Sequence, residues 1–345
     1  MSAILSITRW ALVALVAAVG IACADDSPNR PPLTPKPAGT QPTSTLPPAS
    51  TPEPRTELRV AFINLYSPLS SLDDDSGAAK ATFEERLGMV IAELKELDPD
   101  VVAFNDVSWT EETGSALSRL ASELRMEFQY ARSSPWLPGQ TKEESDALAS
   151  ERGYERGVLV LSREPILAAT RTILAWQDAE AGDAYAALHV TVRGPGETGI
   201  LDIYTAELAG IAPEHAKDAT RALISFVLET RGTGPVIVMG SLGIPHDSDL
   251  MKLYEEAGLV DVTRRVLGDL APATCCRESI LAPGTPLTER SDFILTDGWL
   301  PSRIRYFGHL PHRSADGTML YASIRNGLMA ALPITSAGSV DASGY

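Results

Sequence analysis

Residues 234–250, GPVIVMGSLGIPHDSDL, put a loop at the end of a strand, where folded scaffolds commonly carry catalytic side chains. Pro235 to Met239 is a short, β-branched apolar run that reads as a buried strand closed by Gly240. The loop itself is chemically thin: Ser241, Leu242 and Gly243 include no carboxylate, imidazole or thiol. Ser241 as a nucleophile would need a base and a sharp G-x-S-x-G turn, and no such turn surrounds it. Acid–base work would then fall to the five histidines. His246 follows Ser241 in the same loop, and His309 and His312 form a second group downstream. His189 falls inside an apolar strand, where packing or a hydrogen bond accounts for it. His215 stands at the start of a helix, in solvent. Cys275 and Cys276 are adjacent, and two thiolates without further ligands make a poor zinc site. They form a vicinal disulfide or stay free, and the sequence assigns them no function.

The elements that would position these residues alternate between strands and single helices. LRVAFINL (58–65) is a β-rich first strand, and TFEERLGMVIAELKEL (82–97) places Phe83, Leu87, Val90, Ile91, Leu94 and Leu97 on one helical face. Asp98-Pro99 stops that helix, DVVAFNDV (100–107) is a second strand, and Thr110 caps a helix over 111–126. Residues 131–155 read as a polar, irregular insertion. Strands follow at 157–162, 184–192 and 199–208, then a helix over 213–230, the strand of the opening loop, and a helix over 247–257. RSDFILT (290–296), a strand near 302–307 and TMLYASIR (318–325) complete the pattern. Strands outnumber helices, which predicts a two-sheet α/β sandwich with outer helices rather than a doubly wound parallel sheet.

Ahead of this domain the composition changes. Arg9 precedes an apolar run, Trp10 to Ala22, that is short for a membrane span and suits a secretory signal. Its end, Gly20-Ile21-Ala22-Cys23, resembles the lipobox of bacterial lipoproteins, which implies a signal peptide over 1–23, lipidation of Cys23 and a membrane partner through that lipid. Residues 24–57 hold ten of the 25 prolines, interleaved with Thr, Ser and Ala. Such a segment buries too little surface to fold, and at about 3 Å per residue it would reach roughly 100 Å. It reads as a tether to a domain over 58–326, followed by a tail over 327–345. The chain is thus expected outside the cytoplasm, at the cell surface or secreted. Its formal charge of −16, from 29 basic against 45 acidic residues, disfavours DNA as a partner, since nonspecific binding draws on Lys and Arg.

The order of strand-end motifs resembles the endonuclease/exonuclease/phosphatase superfamily. FINL stands for its WNL, LDPDVVAFNDV for PDVVALQEV, GVLVLSREPI for GxAILSRYPI and YTAEL for NTHL. VIVMGSLGIPHDS is similar to VIVMGDFNAPPDS, AGLVDV to the phrase that follows it, RSDFIL to RIDYIL and SADGTMLYASI to SDHxPVxAxL. The resemblance implies a DNase I-like, four-layer fold and phosphoester hydrolysis assisted by a divalent ion, Mg²⁺ or else Mn²⁺ or Ca²⁺. It implies a metal site of Asn64, Asp106 and Asp316, with Asp106 one methylene shorter than the family's glutamate. It also implies Asp292 as the aspartate that orients the catalytic histidine.

The same motifs show losses. The histidine position of the last motif falls on Gly317, so that Asp292 is left with nothing to orient. The position of the aspartate that activates the attacking group is Ser241, that of its asparagine partner on the phosphate is Gly243, and that of the NTHL histidine is Ala206, or Glu207 if the register slips by one. Removing one general base typically costs about 10²–10⁴ in rate, and several absences leave little chemistry. The expectation is an exported, catalytically degenerate binding or scaffold domain. The alternatives are an active metal-dependent phosphohydrolase with a rearranged site, drawing on His246, His309 or His312, and a cation-stabilised structural module.

Overall fold

The computed structural model describes residues 55–69, 76–196, 198–281 and 284–334. The signal, Cys23 and nearly all of the Pro-rich tether lie outside the described residues. The first sheet holds β1 (Glu57–Asn64), β2 (Val101–Thr110), β3 (Gly114–Ser115), β4 (Glu127–Ser134), β5 (Tyr154–Ser162), β12 (Arg303–Phe307) and β15 (Gly327–Pro333). They run in the order β12-β15-β1-β2-β5-β4, with β3 folded onto the end of β2. The second sheet holds β6 (Ile166–Asp178), β7 (Asp183–Arg193), β8 (Ile200–Glu207), β9 (Val236–Ser241), β10 (Val260–Asp261) and β11 (Asp292–Thr296). Its order is β10-β11-β9-β8-β7-β6. A small separate hairpin pairs β13 (His312–Arg313) with β14 (Met319–Leu320). The helices are α1 (Ser76–Ala81), α2 (Phe83–Leu97), α3 (Ala116–Leu124), α4 (Lys142–Arg152), α5 (Pro213–Thr230), α6 (Asp249–Glu256) and α7 (Val262–Leu267).

Side-chain alternation turns these elements into four layers. On β1, Val60 and Phe62 join Val190, Ile203, Ile237 and Met239 in the layer between the sheets. The intervening Ala61 and Ile63 pack with Leu87, Val90 and Leu94 of α2. On the other side, Tyr204, Ala206 and Val238 pack with Leu223 and Val227 of α5. Strands buried on both faces read as continuous apolar runs, which is why VIVMG announces itself in the sequence. The expected two-sheet α/β sandwich with outer helices is what forms.

Four local expectations need correction. The helix foreseen over 111–126 starts only at Ala116, because Gly114 and Ser115 fold back onto Trp109 and Thr110, and Ser115 rather than Thr110 caps it. The insertion over 131–155 is ordered, carrying part of β4 and all of α4, with a reciprocal Thr141–Glu144 capping box. The long strand β6 went unforeseen. The final strand is not 318–325: β14 covers two residues, and β15, GLMAALP, pairs antiparallel with β1 from Glu57↔Pro333 to Phe62↔Leu328. Residues 327–333 therefore belong to the core of the first sheet and not to a tail.

Candidate functional site

Topology selects one end of the sandwich. β1 runs parallel to β2 and β8 runs parallel to β9, so these four strands bring their carboxyl ends together in pairs. β11 and β15 run antiparallel to β9 and β1, so their amino ends arrive at the same edge. Asn64, Asp106, Glu207, Ser241, Asp292 and the segment before Gly327 are the residues at that edge.

On the first sheet, Asn64 is nearly buried and its side chain is divided between two tasks. Its Oδ1 accepts from Tyr66 N at 3.0 Å, while Nδ2 donates to Glu207 Oε1 at 3.1 Å. Asp106 owes its position to a bulge: the register of β2 against β5 slips between Phe104 and Val107, and Asp106 takes a left-handed φ of 55°. Both oxygens of its carboxylate accept from Ser67, from the backbone N at 2.7 Å and from Oγ at 2.8 Å. The neighbouring Asn105 joins the sheets, accepting from Ser241 N at 2.9 Å and donating to Thr205 Oγ1 at 3.2 Å.

On the second sheet the NTHL-like motif resolves. Ala206 is fully buried beneath α5, and Glu207 is the residue that lines the cleft. Glu207 Oε2 accepts from Asp106 N at 3.1 Å. Burial, then the Asp106 charge, pushes the Glu207 carboxyl up to about 7, against the opposing pull of Arg156 and Arg325. Burial pulls the pKa of Arg156 down, but the charges of Asp106, Glu207 and Asp183 together outweigh it and leave it raised.

Asp292 is not left without a partner, as the sequence reading expected. It is fully buried, and its Oδ1 accepts from Ser241 Oγ at 2.5 Å and from Arg325 Nη1 at 3.0 Å. Arg325 Nη1 also donates to Ser291 Oγ at 3.0 Å. Arg325, two residues before β15, thus takes the place beside Asp292 that the resemblance gives to a histidine. Asp316 and Gly317 belong instead to the exposed turn between β13 and β14. There Asp316 accepts from Thr318 N at 2.8 Å, a local bond that lowers its pKa. Asp316 is thus removed from the expected metal set, and Gly317 from the histidine position. The decoy was the phrase SADG, which carries a Ser, a spacer and an Asp at a turn. The segment that meets Asp292, SIRN, has neither an acid nor a histidine to mark it; only the apolar run after it could have given it away.

The remaining expectations also find places. Gly243 adopts φ 67°, and a Cβ built there would lie 2.0 Å from Leu208 O, so the position is closed to a side chain unless the end of β8 moves. None of the five histidines lines the cleft. His246, His309, His312 and His215 are exposed, whereas His189 lies buried against Asp202 Oδ1 at 2.8 Å and stacked on Tyr204.

Asn64, Asp106, Arg156, Glu207 and Arg325 surround a cleft of about 490 Å³, with Tyr66, Tyr154, Tyr185 and Asp183 completing the walls. That volume suits a small molecule. The donors do not suit a divalent ion. Asp106 has both oxygens engaged by Ser67, Asp316 lies away on the exposed turn, and Arg325 occupies Asp292. Asp292 Oδ2 has no hydrogen-bond partner among the described residues, but one oxygen is one ligand, and oxygen-ligated cations need about six. Among the described residues, no group of three His, Cys, Asp or Glu side chains is placed to hold a metal.

Comparison with known proteins accords with this geometry. The model of the endonuclease/exonuclease/phosphatase family matches residues 64–315. The chain belongs to that family. The family generally uses divalent metal ions, which makes the donor set just described a departure within it. No curated protein matches the chain. Among solved structures, a family member from Bacteroides thetaiotaomicron is 13% identical, with 81% of this chain and 98% of that one covered and a TM-score of 0.60. A mannosyl-6-phosphatase from the same organism is 12% identical over 81% of this chain and all of the other, also with a TM-score of 0.60. The human Nocturnin catalytic domain is 17% identical over 82% and 95%, at 0.56. At these identities the likeness speaks for the fold alone.

Proposed function

We propose that this chain is an exported member of the endonuclease/exonuclease/phosphatase family that has lost hydrolytic capacity and uses its strand-end cleft as a binding or scaffold site. One observation carries the reading: Arg325 stands beside Asp292 where the family's chemistry needs a histidine. An arginine is effectively always protonated, so it cannot take a proton from an attacking water, and its charge cancels the aspartate instead of being oriented by it. Ser241 and Gly243 in place of the acid and amide support the same conclusion.

The ligand is a small molecule or the end of a larger one, sized by the cleft. The chain's charge of −16 argues against DNA. Export and a lipid anchor at Cys23 rest on the N-terminal sequence. Fractionation of cells tests them: the wild-type chain should sediment with membranes, and Cys23→Ser should release it.

A second reading has a specific observation behind it. A carboxyl held at about 7 is poised for general acid or base work near neutrality, so Glu207 could serve a rearranged hydrolase. An assay of the full chain separates the two. It would offer a generic phosphodiester and a phosphomonoester, with Mg²⁺, Mn²⁺ or Ca²⁺, beside Glu207→Gln. The proposal expects rates at background for both proteins. Turnover that disappears in the variant would replace it with the second reading.

A further inference from the structure

Cys275 and Cys276 are adjacent, with their sulfurs placed against each other, in a stretch that reaches the cleft. The two sulfurs are not equivalent: Cys275 is 1% exposed, whereas Cys276 is exposed and forms part of the cleft wall. The residues on either side of the pair hold both halves of the Arg325–Asp292 contact. Thr274 Oγ1 accepts from the backbone N of Ser291 and of Asp292, each at 3.3 Å. Arg277 donates to Ser323 O at 3.0 Å and to Asn326 Oδ1 at 2.5 Å, and its backbone N donates to Ile324 O at 2.9 Å. A disulfide between adjacent residues closes a small covalent ring, and that ring sets the spacing between Thr274 and Arg277.

We propose that the two cysteines form a disulfide that is a thiol-exchange site in the cleft wall, reduced by a dithiol reductant, and that its reduction loosens the Arg325–Asp292 contact. A thiolate of the reductant attacks Cys276 Sγ, the accessible sulfur; the bond between the cysteines breaks, and Cys275 leaves as a thiolate and takes up a proton. The second thiol of the reductant then attacks the mixed disulfide and releases Cys276 as a thiol. The protein gains two electrons and two protons, and the reductant becomes a disulfide. This inference stands independently of whether the cleft hydrolyses anything.

The test uses the full chain purified without reductant. Alkylation followed by mass analysis of the tryptic peptide 266–277 reads the cysteines, and amide hydrogen exchange with and without dithiothreitol reads the segment. The expected result is an unalkylated, disulfide-bonded peptide, with exchange at 323–326 and 290–292 rising about tenfold on reduction while β7 and β8 stay protected. Both cysteines alkylated before reduction would overturn the proposal, as would unchanged exchange at 323–326. Protection lost throughout, β7 and β8 included, would also overturn it, because the disulfide would then hold the whole fold and not this contact. A Cys275→Ala/Cys276→Ala variant should show the fast exchange whether or not dithiothreitol is present.

Discussion

Two parallel β-α-β units face each other across the sandwich and end at the same edge. The first, β1-α2-β2, delivers Asn64 and Asp106; the second, β8-α5-β9, delivers Glu207 and Ser241. In the first unit the polar groups are satisfied close by, Asp106 by Ser67 and Asn64 Oδ1 by Tyr66. In the second they depend on distant segments. Ser241 leans on Asp292, which leans on Arg325, and Glu207 takes its hydrogen bonds from Asn64 and from the Asp106 backbone. The lesson is physical: a carboxylate wrapped by its own loop keeps its place without help, whereas one facing another carboxylate must hold a proton or recruit a cation.

Removing Arg325 breaks the second unit's support most severely. Arg325→Ala leaves Asp292 buried and without its counter-charge, and should cost about 3–5 kcal/mol in denaturant unfolding. A loss below about 1 kcal/mol would mean the pair is ornamental. Next comes Glu207, whose folded-state pKa of about 7 lies above its ordinary 4.5. The folded protein then holds this proton more tightly than the unfolded chain does. Its contribution to stability is therefore fully present below about pH 4.5 and is lost as pH rises through 7. Glu207→Gln should remove a decline on the order of 1–3 kcal/mol between pH 5 and pH 8, measured as the difference between the two proteins' unfolding curves. A difference that does not change with pH would show that the carboxyl is not shifted. The smallest effect is at the exposed turn: Asp316→Ala should leave the unfolding midpoint at its wild-type value and the cleft unchanged. A large loss there would return Asp316 to the site.

The sequence revealed much of the scaffold and about half of the site, for reasons that differ by residue. Strands buried on both faces, such as Val236–Met239, leave continuous apolar runs, and α2 and α5 leave clean helical spacing; each is readable without partners. Asn64 and Asp292, at strand ends, and Asp106, at the bulge in β2, were legible because they sit inside recognisable phrases. Arg325 was not, since Ser323-Ile324-Arg325 shares only its serine with the motif and the nearby SADG imitates that motif better. The pairing of β15 with β1 joins residues some 270 positions apart, and no local signal encodes it. The Thr141–Glu144 capping box, by contrast, was present in the sequence and would have disclosed α4.

On this reading the cleft carboxylates Asp106 and Glu207 are committed to Ser67 and to a retained proton, and Asp292 behind them to Arg325, rather than to a metal ion. Calorimetric titration of the full chain with Mg²⁺ and with Mn²⁺ should then show no saturable binding tighter than about 1 mM, and identical curves for wild type and Asp106→Asn. Stoichiometric binding in the micromolar range that Asp106→Asn abolishes would contradict it.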